Sequence, residues 1–246
     1  MRLVRDGFPG DPALEVAVGH ALLRRVARGE IGPTLRVYRP GATVAFGRLD
    51  RLRPGFAAAV VAARAHGFEP VLRQPGGRAA AYDERSLCLD HARPEDETLP
   101  RLQDRFAEAA ELLAGALRGV GVDARVGEVP GEYCPGTWTV NAGGRVKLAG
   151  TAQRVVRGAS LLGAVVVVGN GDRVRAVLED VYAHLGIPWD PATAGAADDG
   201  VPGLTVDAVE RAVLDAYRTA GPLGAPESLD LATVAQARAL APAHRL

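Results

Sequence analysis

Cysteine is scarce in this chain: only Cys88 and Cys134 occur among 246 residues. Two thiols cannot frame a disulfide scaffold, so the fold must rest on a packed core. Net charge is absent too. Twenty-nine basic side chains face 29 acidic ones, with no block of either sign, which argues against nucleic acid or an anionic membrane as the main partner. No apolar run is long enough to span a bilayer; the longest, Ala159 to Val168, is interrupted by Gly163. The opening MRLVRDGFPGD lacks the apolar stretch of a secretory signal. These absences lead us to expect a soluble, reducing, cytoplasmic setting. The five histidines show no metal-ligand spacing, and there is no Cys/His cluster, phosphate-binding loop or Gly-x-Ser-x-Gly motif, so no metal site is expected.

Lysine is rarer still. Lys147 is the only one, against 28 arginines. A composition that has turned nearly every cation to arginine marks its one lysine as a place where arginine does not serve. Lysine offers a compact ammonium with three donors, whereas guanidinium is wide and planar. A stray surface lysine is the plainer alternative.

What is plentiful is apolar sequence, 48% of the residues, enough for a sizeable core. Asp11-Pro12 opens a first helix, with Asp11 as its cap. Strands are expected at Thr34–Val37, Ala42–Phe46, Pro70–Arg73, Ser86–Asp90, Val146–Arg154 and Leu161–Val168. Further helices are expected from Pro54, Pro100, Asp172 and Thr205. Residues 188–203 read as an exposed loop. Strands in hairpins, mixed with helices in no strict repeat, favour an α+β fold with a largely antiparallel or mixed sheet flanked by helices.

Three segments carry candidate chemistry. Arg73-Gln74-Pro75-Gly76-Gly77-Arg78 ends a strand in paired glycines, where backbone can approach a ligand and Arg73 can add a charge-assisted bond; an ordinary turn reads the same. In Val146–Arg154, strict alternation puts Lys147, Ala149, Thr151 and Gln153 on one face, suited to a pocket wall, and Val146, Leu148, Gly150 and Ala152 on the other. In Glu132-Tyr133-Cys134-Pro135-Gly136, a cysteine in a Gly/Pro loop is a candidate nucleophile, and a cation such as Lys147 nearby would favour its thiolate. A small buried hydrophobe is the alternative for Cys134, and it suits Cys88 well.

In this order the three segments resemble the catalytic domain shared by lipoate-protein ligases, octanoyltransferases and biotin-protein ligases. Arg73, Gly76 and Gly77 match that family's Arg-x-x-Gly-Gly-Gly loop, with Arg78 in place of the third glycine, and Asp83 matches a following aspartate. Lys147-Leu148-Ala149-Gly150-Thr151-Ala152-Gln153-Arg154 resembles the signature Lys-Ile-x-Gly-Ser-Ala-Gln-Arg, whose lysine is the family's catalytic lysine. The helix bearing Glu15 and the segment Phe46-Gly47-Arg48 stand where the family has similar segments. Tyr133-Cys134-Pro135-Gly136-Thr137-Trp138 is most similar to the cysteine-dependent branch that moves octanoyl groups from the glycine cleavage H protein. The ligases' His-His-Gly is missing at Ser160–Gly163, and Ser86 and Cys88 replace common asparagines.

The resemblance covers roughly residues 1–186. It implies a fold like that of class II aminoacyl-tRNA synthetases and biotinyl ligases, with a catalytic domain at 1–186 and a loop plus small helical appendage at 187–246. It implies acyl transfer to a lysine of lipoyl domains through a Cys134 thioester, with Lys147 holding the carbonyl oxygen. Arg73, Gly76, Gly77, Ala149, Gly150, Thr151 and Gln153 would bind substrate. Partners would be the glycine cleavage H protein, E2 subunits of 2-oxoacid dehydrogenases or an acyl carrier protein, and no cofactor would be needed. An ATP-dependent lipoate ligase, requiring ATP and Mg, is the alternative; a non-catalytic acyl or lipoyl-domain binder is a second.

Overall fold

The computed structural model describes residues 1–95 and 102–246. The helix start expected at Pro100 lies outside the described residues. In chain order the elements are β1 (Arg2–Val4), α1 (Pro12–Ala27), β2 (Thr34–Tyr38), β3 (Thr43–Phe46), α2 (Phe56–Ala65), β4 (Glu69–Leu72), β5 (Ala80–Tyr82), β6 (Ser86–Glu95), α3 (Leu102–Gly119), β7 (Ala124–Val126), β8 (Val140–Ala142), β9 (Val146–Val156), β10 (Gly158–Val167), α4 (Gly171–Leu185), α5 (Val206–Ala220), β11 (Pro226–Glu227) and α6 (Leu231–Leu240).

Eight strands form one mixed sheet in the order β11-β1-β2-β6-β10-β9-β8-β7. Its centre is antiparallel, with β10 paired to β6 on one side and β9 on the other, while β1 pairs parallel to β2 and β11. A second sheet, β4-β3-β5, is also mixed. The architecture is therefore α+β, as the hairpin pattern indicated.

Alternation in β10 builds both faces of the main sheet. Leu162, Ala164 and Val166 pack with α3 and α5, while Ala159 and Leu161 pack with α1 and α6. Each fully buried Val or Leu contributes about 1.5–3 kcal/mol, so the two stripes of one strand fix both layers. Helices α2 and α4 cover the small sheet, with Val44, Phe46, Val174, Val177 and Leu178 in a shared cluster.

The caps follow local chemistry. Asp11 accepts from Leu14 N at 3.2 Å, and Thr205 caps α5 through Ala208 N at 3.2 Å. Asp172 does not cap α4. The helix already starts at Gly171, after Asn170 at φ 61°, and Gly171 is packed so closely that a Cβ there would lie 2.9 Å from Ala196 N.

Residues 188–203 are not an exposed loop. Thr193, Ala194, Ala196 and Ala197 are buried, and Arg175 on α4 draws the segment in by donating to Pro191 O at 3.1 Å and Ala194 O at 2.7 Å. Ala194 in turn bridges to Lys147 on β9. Beyond it, α5 packs on α3 and β11 extends the main sheet. No helix among the described residues is long and apolar enough to cross a membrane.

Candidate active site

A cleft of about 330 Å³ opens where the loop after β4, the loop before β8 and strand β9 meet. Gly76, Gly77, Phe106, Trp138, Val165 and Val167 supply much of its wall. A smaller cavity of about 70 Å³ adjoins it and shares Arg73, Gly150, Ala152 and Val165.

Strand β9 presents its side chains through a bulge. Asn141 pairs with Lys147 and Val140 with Ala149, which leaves Leu148 as an extra residue. A bulge resets the alternation of the strand. Lys147 therefore shares the cleft face with Gly150 and Ala152, whereas Ala149, expected on the cleft wall, is buried in the core facing α3. Thr151 and Gln153 reach the cleft from its outer end. Gln153 accepts from Arg105 Nε at 3.1 Å and donates to Leu102 O at 3.1 Å, so it also ties β9 to α3.

The sole lysine is buried, 4% exposed, and all three of its donors are engaged. Its Nζ meets Glu132 Oε2 at 2.8 Å, Cys134 O at 2.7 Å and Tyr133 O at 3.1 Å. Glu132 is fully enclosed and accepts further bonds from Thr139 Oγ1 at 2.8 Å, Val129 N at 3.2 Å and Gly136 N at 3.3 Å. A buried charge needs such a partner. Sequence reasoning quoted Glu132 but gave it no role; a lone lysine expected inside a pocket was itself the signal that a carboxylate had to be found. Space for the ammonium depends on Gly150, where a Cβ would lie 3.2 Å from Lys147 Cε.

Cys134 sits at φ +44°, in left-handed space that side chains rarely adopt. Its amide donates to Tyr182 Oη at 2.9 Å, and that hydroxyl donates to Ala79 O at 2.9 Å. Tyr182 thus ties the cysteine loop to the glycine loop. Burial pushes the Tyr182 phenol well above its ordinary range, so it stays a neutral donor. The thiol lies against Arg78 N at 3.1 Å and Arg73 Nη2 at 3.6 Å. The cation contacting the sulfur is therefore Arg73 rather than Lys147, which holds the backbone carbonyl of the same residue.

The paired glycines do different work. Gly77 has φ +95°, and a Cβ there would stand 2.5 Å from Arg73 Nη2 and 2.9 Å from Cys134 Sγ. Nothing lies within 4 Å of a Cβ at Gly76. Arg78, which replaces a third glycine, turns its guanidinium out of the cleft to buried Asp50 at 3.4 Å while its amide faces the sulfur. Asp50 also accepts from Gly47 N at 2.8 Å, and burial holds its carboxyl above the usual range despite these partners. Asp83 lies away from the sulfur, fully buried, and anchors Asn170 at 2.9 Å and Arg173 at 3.0 Å at the start of α4. No Asp or Glu is among the described residues that line the cleft, and no cluster of three or more His, Cys, Asp or Glu among the described residues is placed to hold a metal ion.

Comparison with known proteins gives this arrangement a setting. Residues 11–217 match the family described as lipoyl protein ligase A/B catalytic domain. The chain is 29% identical over 176 residues to the octanoyl-GcvH:protein N-octanoyltransferase of Geobacillus kaustophilus, which covers 72% of this chain and 62% of that relative. It is 31% identical over 193 residues to the octanoyltransferase LipM of Moorella thermoacetica, covering 72% and 69% of the two chains. Among solved structures, the bi-partite lipoate protein ligase of Thermoplasma acidophilum superposes with a TM-score of 0.73 at 20% identity, covering 98% of this chain and 91% of the other.

Proposed function

Because the chain belongs to the lipoyl protein ligase A/B catalytic domain family, we propose that it is an acyltransferase that moves an octanoyl or lipoyl group onto a lysine of lipoyl domains through a thioester on Cys134. The observation that carries this reading is the seating of the sulfur. A thiol in strained backbone, lining the cleft, is met by an amide at 3.1 Å and a guanidinium at 3.6 Å. Such donors favour charge on sulfur and oxygen at a reacting centre.

The proposed reaction has two halves. The Cys134 sulfur attacks the acyl carbonyl of the donor, the bond from that carbonyl to its carrier breaks, and the leaving group takes a proton. A lysine amine of the acceptor domain then attacks the thioester and loses a proton as the C–S bond breaks, which restores the thiol. The cleft wall of Gly76, Gly77, Val165 and Val167 suits an alkyl chain, each buried methylene contributing about 0.8 kcal/mol. Lys147 serves in the first place as a strut, holding Glu132 and the carbonyls of Tyr133 and Cys134. For it to reach a substrate oxygen, one of these bonds must yield.

In this reading the donor is the octanoylated glycine cleavage H protein and the acceptors are E2 lipoyl domains. The words GcvH, in the names of relatives, and E2 lipoyl domain, beside a solved neighbour, support it. No cofactor is needed. ATP with Mg is the requirement of the ligase alternative. The test is intact mass after incubation with octanoylated H protein. An octanoyl increment on the chain, absent in Cys134→Ser, is expected; adenylate formation from lipoate and ATP, with no such increment, would overturn the reading.

A further inference from the structure

Beside the glycine loop lies a surface that the acyl chemistry does not use. Four large hydrophobic side chains are well exposed among the described residues, and three of them cluster in one stretch: Leu49 at 55%, Leu52 at 78% and Val61 at 65%. Leu49 precedes and Leu52 ends the 3-10 turn Asp50–Leu52, which leads into α2. That helix, Phe-Ala-Ala-Ala-Val-Val-Ala-Ala-Arg-Ala, buries Ala59, Val60, Ala62 and Ala63 and leaves Ala57, Ala58, Val61, Arg64 and Ala65 in solvent. An exposed helix face is normally more polar than this one, and large exposed apolar side chains gathered on one segment mark a contact site.

At the turn the charge has one sign, while acids meet the far end of α2, where Glu69 lies 3.8 Å from Arg64 and Asp180 meets His66 at 2.6 Å. Arg48, Arg51 and Arg53 edge the patch, and the only acid between residues 47 and 68 is Asp50, which is buried. Arg48 donates to Gln74 at 3.1 Å and Arg53 to the carbonyls of Leu185 and Gly186 at 2.8 and 2.7 Å, while Arg51 makes no bond among the described residues. The turn is also fastened to the site. Asp50 holds Gly47 N and Arg78, and Gly47 is packed so tightly on Gly77 that a Cβ would stand 1.9 Å from Gly77 O.

We propose that the Arg48–Arg53 turn and the outer face of α2 form the docking surface for an acidic carrier domain, one that presents an apolar spot ringed by carboxylates and delivers its acylated or acceptor lysine to the adjacent cleft. This rests on the protein-to-protein transfer proposed above. Charge complementarity selects the occupant. A second copy in a two-fold contact would set Arg48, Arg51 and Arg53 against their own equivalents, and an acidic partner relieves that repulsion. Substrate delivered on a protein needs a surface next to the cleft mouth, where this turn sits.

The test uses the full chain with Arg51→Glu/Leu52→Glu and, separately, Val61→Glu. Dissociation constants are measured against the glycine cleavage H protein, together with octanoylation of Cys134 by the small thioester octanoyl-N-acetylcysteamine. Docking predicts that binding of H protein weakens on the order of tenfold in both variants, and that labelling by the small thioester stays within twofold of wild type. Unchanged binding of H protein overturns the proposal, as does equal loss of small-thioester labelling, which would make the turn a support of the site. Self-association abolished by Val61→Glu, or adsorption to phosphatidylserine vesicles abolished by the double variant, with H-protein binding intact, also overturns it by assigning the face to another occupant. Failure of the transferase reading shows separately, as a wild-type chain that takes no octanoyl group from any donor.

Discussion

Gly77→Ala puts the seating of the sulfur to a quantitative test. The added methyl would stand 2.9 Å from Cys134 Sγ and 2.5 Å from Arg73 Nη2, where ordinary non-bonded contacts fall at about 3.5–4.0 Å. The sulfur must therefore retreat by roughly 0.6–1.1 Å if the loop holds. Displacement on that scale costs about 10²-fold in rate. The positive φ adds a backbone cost of about 1–2 kcal/mol, which at about 2–4 °C per kcal/mol for a chain of this size lowers Tm by roughly 2–8 °C. The measurement is the single-turnover rate at which octanoylated H protein loads Cys134, followed by intact mass, with Tm by calorimetry. Gly76→Ala is the control, since that position has open space and no positive φ. It is expected to leave the alkylation rate of Cys134 by iodoacetamide within twofold of wild type. If Gly77→Ala loads within threefold of wild type while folded, the contact between glycine and sulfur does not govern reactivity and the reasoning fails.

Three further outcomes are expected. Glu132→Ala strands a buried ammonium and is expected to cost about 3–5 kcal/mol of stability, read as a fall in the denaturant midpoint; a midpoint equal to wild type would mean that Lys147 finds solvent. Tyr182→Phe removes the link between Cys134 N and Ala79 O and leaves buried polar groups unmatched at about 1–3 kcal/mol. Its loading rate is expected to fall more than tenfold with KM for H protein unchanged, and equal loss in both would point to general loosening. His20, bonded to His244 at 3.2 Å, is held down to about pKa 4 by burial and then by Arg24. The unfolded chain binds a proton there that the folded one refuses between about pH 6.5 and 4. Its share of stability is complete above pH 6.5 and is lost as pH falls towards 4. Denaturant midpoints of His20→Gln are expected to show a shallower decline across that window than wild type; parallel profiles would count against the assignment.

Much of this was readable from residue types. The lone lysine, the cysteine in its Gly/Pro loop and the paired glycines meet at one cleft, as the family resemblance implied, and the cap residues Asp11 and Thr205 act where local chemistry put them. What stayed hidden has physical causes. Strict alternation cannot reveal a bulge, so Ala149 falls on the wrong face in that reading, and Gly150 and Ala152 on the face opposite Lys147. The pairing of Glu132 with Lys147 is a contact between side chains 15 residues apart, set by a turn that periodicity does not describe. Residues 188–203 look solvated because of their Gly, Pro and Asp content, yet Arg175 folds them inward by satisfying two of their carbonyls. The motif resemblance faded near residue 186, whereas the family match runs to 217, because α5 is specified by an apolar stripe against α3 and not by signature residues. Arg78 stands in place of the family's third glycine, and it is its backbone amide that meets the sulfur while its guanidinium turns to Asp50.

The sealing of Lys147 has a practical and biological consequence. An enzyme with the proposed transfer of acyl chains to amines risks decorating itself, and every accessible lysine on its own surface would be a competing acceptor. Here arginine, a far poorer nucleophile because it keeps its proton, has taken 28 cationic positions, and the one side-chain amine is shut behind an ion pair. In the proposed reaction this leaves the chain no exposed lysine of its own to compete with the acceptor domain.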